Sequence, residues 1–377
     1  MNSAGYTIAV FPGDGIGPEV IAEGEKVLAA LAEGDRAPWR LEAYPGGGQY
    51  YLAHQKEWEP EAEAASRRAE AILLGAIGWP GATLPNGDNA GVALVLGLRQ
   101  ALDLYANVRP CRLYPGVRHR ISAGYQQVWE PKNVDLVIVR ENTEGLYTPA
   151  RGRLRRADET EVAVDTRILT KKGSERVIRY AFELTKGRSR GAPEDARSRV
   201  TCVDKSNVLE GCRFFRETYD RIAASYPNVE RDYAYVDAFT QWLIRNPEHF
   251  DVVVSTNMMG DIITDLASVL QGGMGFAAGG NIGDHHAMFE PVHGSAPKYA
   301  GQNRVNPFAT FFAVEMMLRW LGDRHHDGGL VRQADRLEAA VAKVLTAGTA
   351  RTYDQGGTVT TSEAGDRVAS AIRAEAS

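Results

Sequence analysis

Four short, almost wholly apolar runs constrain this chain more than any other feature: Tyr6–Phe11 (YTIAVF), Ala71–Leu74 (AILL), Val134–Val139 (VDLVIV) and Asp251–Ser255 (DVVVS). A strand with one wet face alternates apolar and polar residues, whereas runs without alternation are covered on both faces. Segments of helical spacing lie between them. One runs from Glu19 to Leu31, with Val20, Ile21, Val27, Leu28 and Leu31 on one side, and another lies near Pro60–Ala69. Buried strands separated by amphipathic helices read as an α/β protein with a largely parallel sheet. A chain of 377 residues exceeds one ordinary core, so two structural units are expected.

The first strand is followed by Pro12-Gly-Asp-Gly-Ile-Gly-Pro18 and then a helix. This glycine turn is not a Rossmann fingerprint. It lacks the third-glycine spacing, and no acid closes a following strand about twenty residues on. Tyr147–Thr166 is charged, with Val162 and Val164 alternating, and reads as an exposed hairpin or arm. Gly187–Arg199 reads as a solvated loop. Its arginines, and those at 151–156, admit an RNA-binding reading. The net charge of -5, from 43 Lys and Arg against 48 Asp and Glu, argues against it, because phosphate-backbone binders are usually strongly basic. Three cysteines, Cys111, Cys202 and Cys212, are too few and too scattered for a disulfide framework and point to a reducing cytoplasm. The N-terminus shows no signal-peptide pattern, and no apolar stretch is long enough to span a bilayer.

The strongest chemical signal is Asn257-Met-Met-Gly-Asp261-Ile-Ile-Thr-Asp265-Leu-Ala-Ser-Val-Leu270. A helix stacks Asp261 and Asp265 on one face, with Ile262, Ile263, Leu266, Val269 and Leu270 expected on the core side. Two neighbouring carboxylates repel unless a cation lies between them, and a hard divalent ion such as Mg²⁺ or Mn²⁺ takes such oxygen ligands. A solvated acidic face is the plain alternative for a DxxxD pair alone. A third acid, Asp237, ends a strand-like run. Arg99, Arg109 and Arg140 stand at element ends, and arginine grips carboxylates through paired hydrogen bonds. Taken singly, each is as readily a surface ion pair. Lys205 follows a short apolar strand, where a nearby cation would lower its proton affinity and suit it as a base. Tyr147 could supply a proton. Gly272–Gly283 and the segment from Phe289 to Gly301 are rich in small residues that let a nucleotide approach closely.

Together the blocks GDGIGPEV, LDLYANVRP, VRENTEGLY, VDKSNVLE, NMMGDIITDLAS, GNIGD and EPVHGSAPKYAGQ, in this order from Ile8 to about Ile372, resemble the β-decarboxylating dehydrogenases. That isocitrate/isopropylmalate dehydrogenase family includes homoisocitrate and tartrate/D-malate enzymes, and the wording is nearest the isopropylmalate/homoisocitrate branch. The resemblance implies a two-domain isopropylmalate dehydrogenase-like α/β fold with mixed and parallel sheets, not a Rossmann unit. A large nucleotide-binding domain would comprise 1–104 plus 272–377, and a small dimerisation domain 105–271, with the arm at about 147–166.

It also implies roles. Arg99, Arg109 and Arg140 would grip the malate carboxylates. Asp261 and Asp265 would bind the metal in one subunit, with Asp237 donated by the other. Lys205 would be the base acting across the dimer interface, and Tyr147 the acid. Ile77, His293, Gly294, Ser295, Ala296 and Asn306 would line the nucleotide pocket. The working form would be a homodimer with shared active sites acting on a small hydroxy-diacid.

Two departures sharpen the expectation. NAD-using relatives commonly carry an Asp after GSAP, whereas this chain has Lys298 and then Tyr299, a pair that favours the 2′-phosphate of NADP over NAD. Tyr353 is a third candidate contact, but the Arg expected four residues later is Gly357. The segment before Arg99, Gly91–Leu98 (GVALVLGL), has no polar anchor for a third carboxylate. Burying an unpaired carboxylate is costly. Val92, Val95 and Leu96 therefore suggest an apolar group at C3 of a 3-substituted D-malate. The alternatives are an isocitrate, homoisocitrate, D-malate or tartrate dehydrogenase and, in another class, a metal-dependent lyase or hydrolase.

Overall fold

The computed structural model describes residues 5–33 and 38–374. The chain forms two compact units, one of Met1–Leu104, Leu113–Pro131 and Ser268–Ser377, the other of Tyr105–Arg112 and Lys132–Ala267.

In the first unit the strands lie in the order Ala278–Ile282, Ala287–Pro291, Ala71–Leu74, Tyr6–Phe11, Trp39–Ala43. The last four run parallel, and Ala278–Ile282 pairs antiparallel with Ala287–Pro291. Ala71–Leu74 and Ala287–Pro291 are buried at every residue, as their unalternating sequences require. Helix Gly17–Ala32 starts with a proline in its first turn and buries Val20, Ile21, Val27, Leu28 and Leu31. Helix Phe308–His325 buries Phe308, Phe311, Val314, Met317, Leu318 and Leu321, each contributing about 1.5–3 kcal/mol by leaving water.

The second unit repeats the scheme. Its order is Glu230–Tyr235, Arg199–Asp204, Val252–Ser255, Asp135–Glu141, Ala106–Arg112. The first four strands are parallel, and Ala106–Arg112 pairs antiparallel with Asp135–Glu141. Helix Lys171–Gly187 is capped by Thr170, whose side chain accepts from the Gly173 amide, and it buries Val177, Ile178, Ala181 and Phe182. Residues 147–166 contain a hairpin, Arg151–Arg156 against Glu159–Asp165, with every strand residue exposed. In the 187–199 segment Arg188 pairs with Asp135 and Asp251, Arg190 with Asp135, and Arg199 with Asp195 and Glu230. These arginines are committed to acids of their own chain.

Among the described residues no helix is long and apolar enough to cross a membrane. Cys111, Cys202 and Cys212 are free and buried.

Candidate active site

Helix Asn257–Ser268 begins just beyond strand Val252–Ser255, at the carboxyl end of the second unit's parallel strands. Open α/β sheets place their sites at such ends. Asp261 and Asp265 share a face as their spacing requires. Ile263 and Leu270 form the buried line, but Ile262 is 56 % exposed rather than in the core. It lies about 100° around the helix from Ile263, on the side of the acids.

The two carboxylates meet two arginines from neighbouring strands. Arg109, on Ala106–Arg112, donates to Thr264 Oγ1 at 2.7 Å, to Asp265 at 3.3 Å and to Asp261 at 3.4 Å, while its Nε reaches Asn107 Oδ1 at 2.8 Å. Arg140, on Asp135–Glu141, is buried. It donates to Asp261 and, through Nε and Nη2, to Asn257 Oδ1 at 3.0 and 2.7 Å. Asn257 is itself fixed by donating to the Glu144 carbonyl at 2.8 Å. The Tyr147 hydroxyl donates to the other Asp261 oxygen at 2.8 Å, and the Arg140 guanidinium lies 5.4 Å from the Tyr147 ring centre. Burial, reinforced by Asp261, raises the Tyr147 pKa. The sequence thus identified Arg109, Arg140, Tyr147, Asp261 and Asp265, and the structure brings all five together. Asn107, Asn257 and Thr264, which aim the arginines, carried no signal beyond standing inside the motifs.

The donor set suits a hard divalent cation. It offers two carboxylates, with Asp265 61 % exposed at its side chain. Mg²⁺ is usually held by one or two carboxylates and keeps several waters. Among the described residues no three His, Cys, Asp or Glu side chains converge to hold a metal.

Asp237 stands elsewhere in this unit, in the first turn of helix Val236–Arg245 rather than at a strand end. It accepts from Lys205 Nζ at 2.6 Å, and Lys205 follows strand Arg199–Asp204. The lysine and the amides at the helix start hold the Asp237 carboxyl below its usual range.

In the first unit Arg99 is buried and donates to Glu290 at 3.0 Å, and Glu290 also accepts from Asn281 at 2.8 Å. Among the described residues Arg99 Nε is buried without a partner, a donor that an anion would satisfy. Upstream, Ala93–Gly97 is a single π turn running into helix Leu98–Ala101. π turns occur frequently at functional sites. Val92, Val95 and Leu96 are half-buried there. Glu57, which sequence reasoning missed, accepts from the amides of Gly91 and Ala93 at 2.7 and 3.2 Å and so fixes the start of this turn.

The expected nucleotide loops are stitched together in the same unit. The Ile16 amide donates to the Ser295 carbonyl at 2.9 Å, and Ser295 Oγ donates to the Gly78 carbonyl. Gly15 has φ +60°, and a Cβ there would lie 2.1 Å from the Ser295 carbonyl oxygen, so only glycine fits. Ile77 is half-buried beside this turn. Among the described residues His293 Nε2 is buried without a partner, and burial lowers the imidazole's pKa. Such a neutral ring nitrogen fits a bound base. Gly294 is exposed, and Ala296 adopts φ +38°. The Asn306 side chain donates to Asp354 at 2.9 Å and accepts from the Phe308 amide at 3.0 Å, so its visible role is to hold the loop. Tyr299 and Tyr353 lie with ring centres 5.3 Å apart, and Lys298 Nζ lies 4.7 Å from the Tyr299 ring centre.

A family model described as isocitrate/isopropylmalate dehydrogenase matches residues 7–368. The 3-isopropylmalate dehydrogenase of Corynebacterium glutamicum (strain R) is 42% identical over 370 residues, covering 97% of this chain and 99% of its own. That of Thermobifida fusca (strain YX) is 40% identical over 376 residues, covering 99% of each. Among solved structures, isocitrate dehydrogenase from Methylococcus capsulatus superposes with a TM-score of 0.84 at 33% identity, over 98% of this chain and 99% of that one.

Proposed function

Because this chain belongs to the isocitrate/isopropylmalate dehydrogenase family, we propose that it oxidises and decarboxylates a 3-substituted D-malate with an apolar side group, passing hydride to a nicotinamide nucleotide. The observation that carries this reading is the convergence of Asp261 and Asp265 with Arg109, Arg140 and Tyr147 at one helix face. It puts oxygen ligands for a cation, a grip for carboxylate and a proton donor within one cluster.

When bound, Mg²⁺ or Mn²⁺ at the two aspartates supplies Lewis acidity at the substrate's C2 oxygen. The nicotinamide supplies the hydride acceptor. The protein's own groups do the rest. Arg109 and Arg140 hold carboxylate through paired donors, and Arg99, with its unmatched Nε, is a third carboxylate donor. Lys205 takes the proton from the C2 hydroxyl. After CO₂ leaves, Tyr147 returns a proton to C3. Its raised pKa keeps the phenol protonated through neutral pH, as an acid requires.

Lys205 is paired with Asp237 in its own chain. We assign both residues to the active site of a second copy, where Asp237 would turn to the cation and leave Lys205 free to act as base. The exposed apolar side chains support this homodimer. Val208 and Leu209 follow Lys205, Tyr235 and Trp242 flank Asp237, and Ile262 adjoins Asp261. Exposed apolar residues beside functional ones mark surfaces that a partner covers.

Val92, Val95 and Leu96 specify the apolar substituent, since the 91–98 segment offers no charged or amide side chain. Lys298, with Tyr299 and Tyr353, favours NADP over NAD. The buried free thiols accord with the reducing cytoplasm, where we place the enzyme.

The deciding experiment is a turnover screen with Mg²⁺ or Mn²⁺. It crosses NAD and NADP with D-malate, tartrate, isopropylmalate, benzylmalate, isocitrate and homoisocitrate. An alkyl- or aryl-substituted malate should give the highest kcat/KM. A win for isocitrate or homoisocitrate would overturn the substrate assignment, and loss of metal dependence would overturn the role of the aspartates.

A further inference from the structure

The segment HGSAPKYAGQNRVNP carries a second cation beyond Lys298, at Arg304. The Arg304 guanidinium lies 4.8 Å from the Tyr353 ring centre and 5.9 Å from that of Tyr299. Lys298 Nζ lies 4.7 Å from the Tyr299 ring centre, so two cations share two phenol rings whose centres are 5.3 Å apart. Among the described residues neither Lys298 nor Arg304 forms an ion pair. The nearby acids are spent on the loop itself. Glu19 accepts from the Gly301 and Asn303 amides, and half-buried Asp354 accepts from Thr352 and Asn306. The positive field is already felt in the cluster. The Tyr299 phenol is pulled below its usual pKa, first by its hydrogen bond with Tyr353, then by Lys298, with Arg304 adding its charge.

Two like charges on one aromatic pair repel, and a doubly charged anion seated between them relieves that repulsion. We propose that Arg304 is a nucleotide-specificity residue, completing with Lys298 a two-cation seat for the phosphate monoester on the adenosine ribose of NADP. The inference rests on the NADP reading above and adds a residue to it. It also explains how the chain manages without an arginine at position 357. A Cβ on Gly357 would lie 1.9 Å from the Arg351 carbonyl oxygen, so no side chain fits there, and the guanidinium arrives from a different loop.

Equilibrium binding tests this without turnover. NADP, NAD and 2′,5′-ADP are titrated by fluorescence or calorimetry into the wild type, Arg304→Gln, Arg304→Lys and Lys298→Gln. Arg304→Gln should raise the Kd of NADP and 2′,5′-ADP about tenfold or more, the size of one charge-assisted contact. The Kd for NAD should stay within about twofold, Arg304→Lys should recover part of the loss, and the salt dependence of NADP binding should flatten. If the wild type prefers NADP and Arg304→Gln keeps that preference, Arg304 has no such role while the NADP reading stands. If the wild type binds NAD as tightly as NADP, both fall. Equal weakening of NAD and NADP would make Arg304 a structural loop residue and also overturn the proposal.

Discussion

Tyr147 donates a hydrogen bond from its hydroxyl to Asp261, beside a buried guanidinium, and is 39 % exposed. A phenol so placed keeps its proton in the neutral range yet remains accessible from solvent, which is what a final protonation of carbon demands. Tyr147→Phe preserves the ring over Arg140 and removes only that proton. Its kcat should fall about 10²–10³-fold, the usual worth of a general acid, with nucleotide Kd unchanged. Steady-state kinetics beside a nucleotide titration separates the two, and a kcat within a few-fold of wild type would remove Tyr147 from the proton path. The identities of Tyr147, Asp261, Asp265, Arg109 and Arg140 were legible in the sequence, since each stands in a distinctive motif. Their partners were not. Arg140 reaches Asn257 from 117 residues away and Arg109 reaches Thr264 from 155, contacts that exist only once the strands are side by side.

At the level of elements, the apolar runs located the strands well. Tyr6–Phe11 and Ala71–Leu74 form as read, and Asp135–Glu141 extends the run at 134–139 to include Arg140. The π turn at Ala93–Gly97 was not legible, because the apolar spacing of GVALVLGL fits an α-helix equally well and the choice is made by neighbours. One neighbour is Glu57, which ties down the Gly91 and Ala93 amides from 34 residues upstream. The turn divides the three candidate specificity residues. Val95 packs against the core around Leu94, Leu98 and Leu102, whereas half-buried Leu96 stands outside that cluster. Leu96 is therefore the better probe of the substrate's side group. Leu96→Arg should lower kcat/KM for an alkylmalate at least about tenfold, since a desolvated charge faces an apolar substituent, while nucleotide binding persists. Unchanged kinetics would show that this turn does not face the substrate.

For the molecule as a whole, the question is whether one chain carries a complete site. Lys205 is bonded to Asp237, Asp261 to Arg109, Arg140 and Tyr147, and among the described residues no third acid joins Asp261 and Asp265. The sequence held all these residues, but only the family resemblance assigned Asp237 and Lys205 to the other subunit's site, because residues of one chain and of its copy read identically. A two-fold dimer makes the issue experimental. In a heterodimer of Asp265→Asn and Lys205→Met, one site takes both lesions and the other takes none. Each variant alone should be inactive. Co-expressed with two affinity tags, or mixed and refolded, the pair should regain about a quarter of wild-type activity, because half the dimers are hybrid and each hybrid has one intact site of two. Hybrids purified through both tags should reach about half. Should they remain inactive although both parents fold and bind nucleotide, then Lys205 and Asp265 serve the same site within one chain. The Lys205–Asp237 pair would then be an internal part of that site rather than half of another.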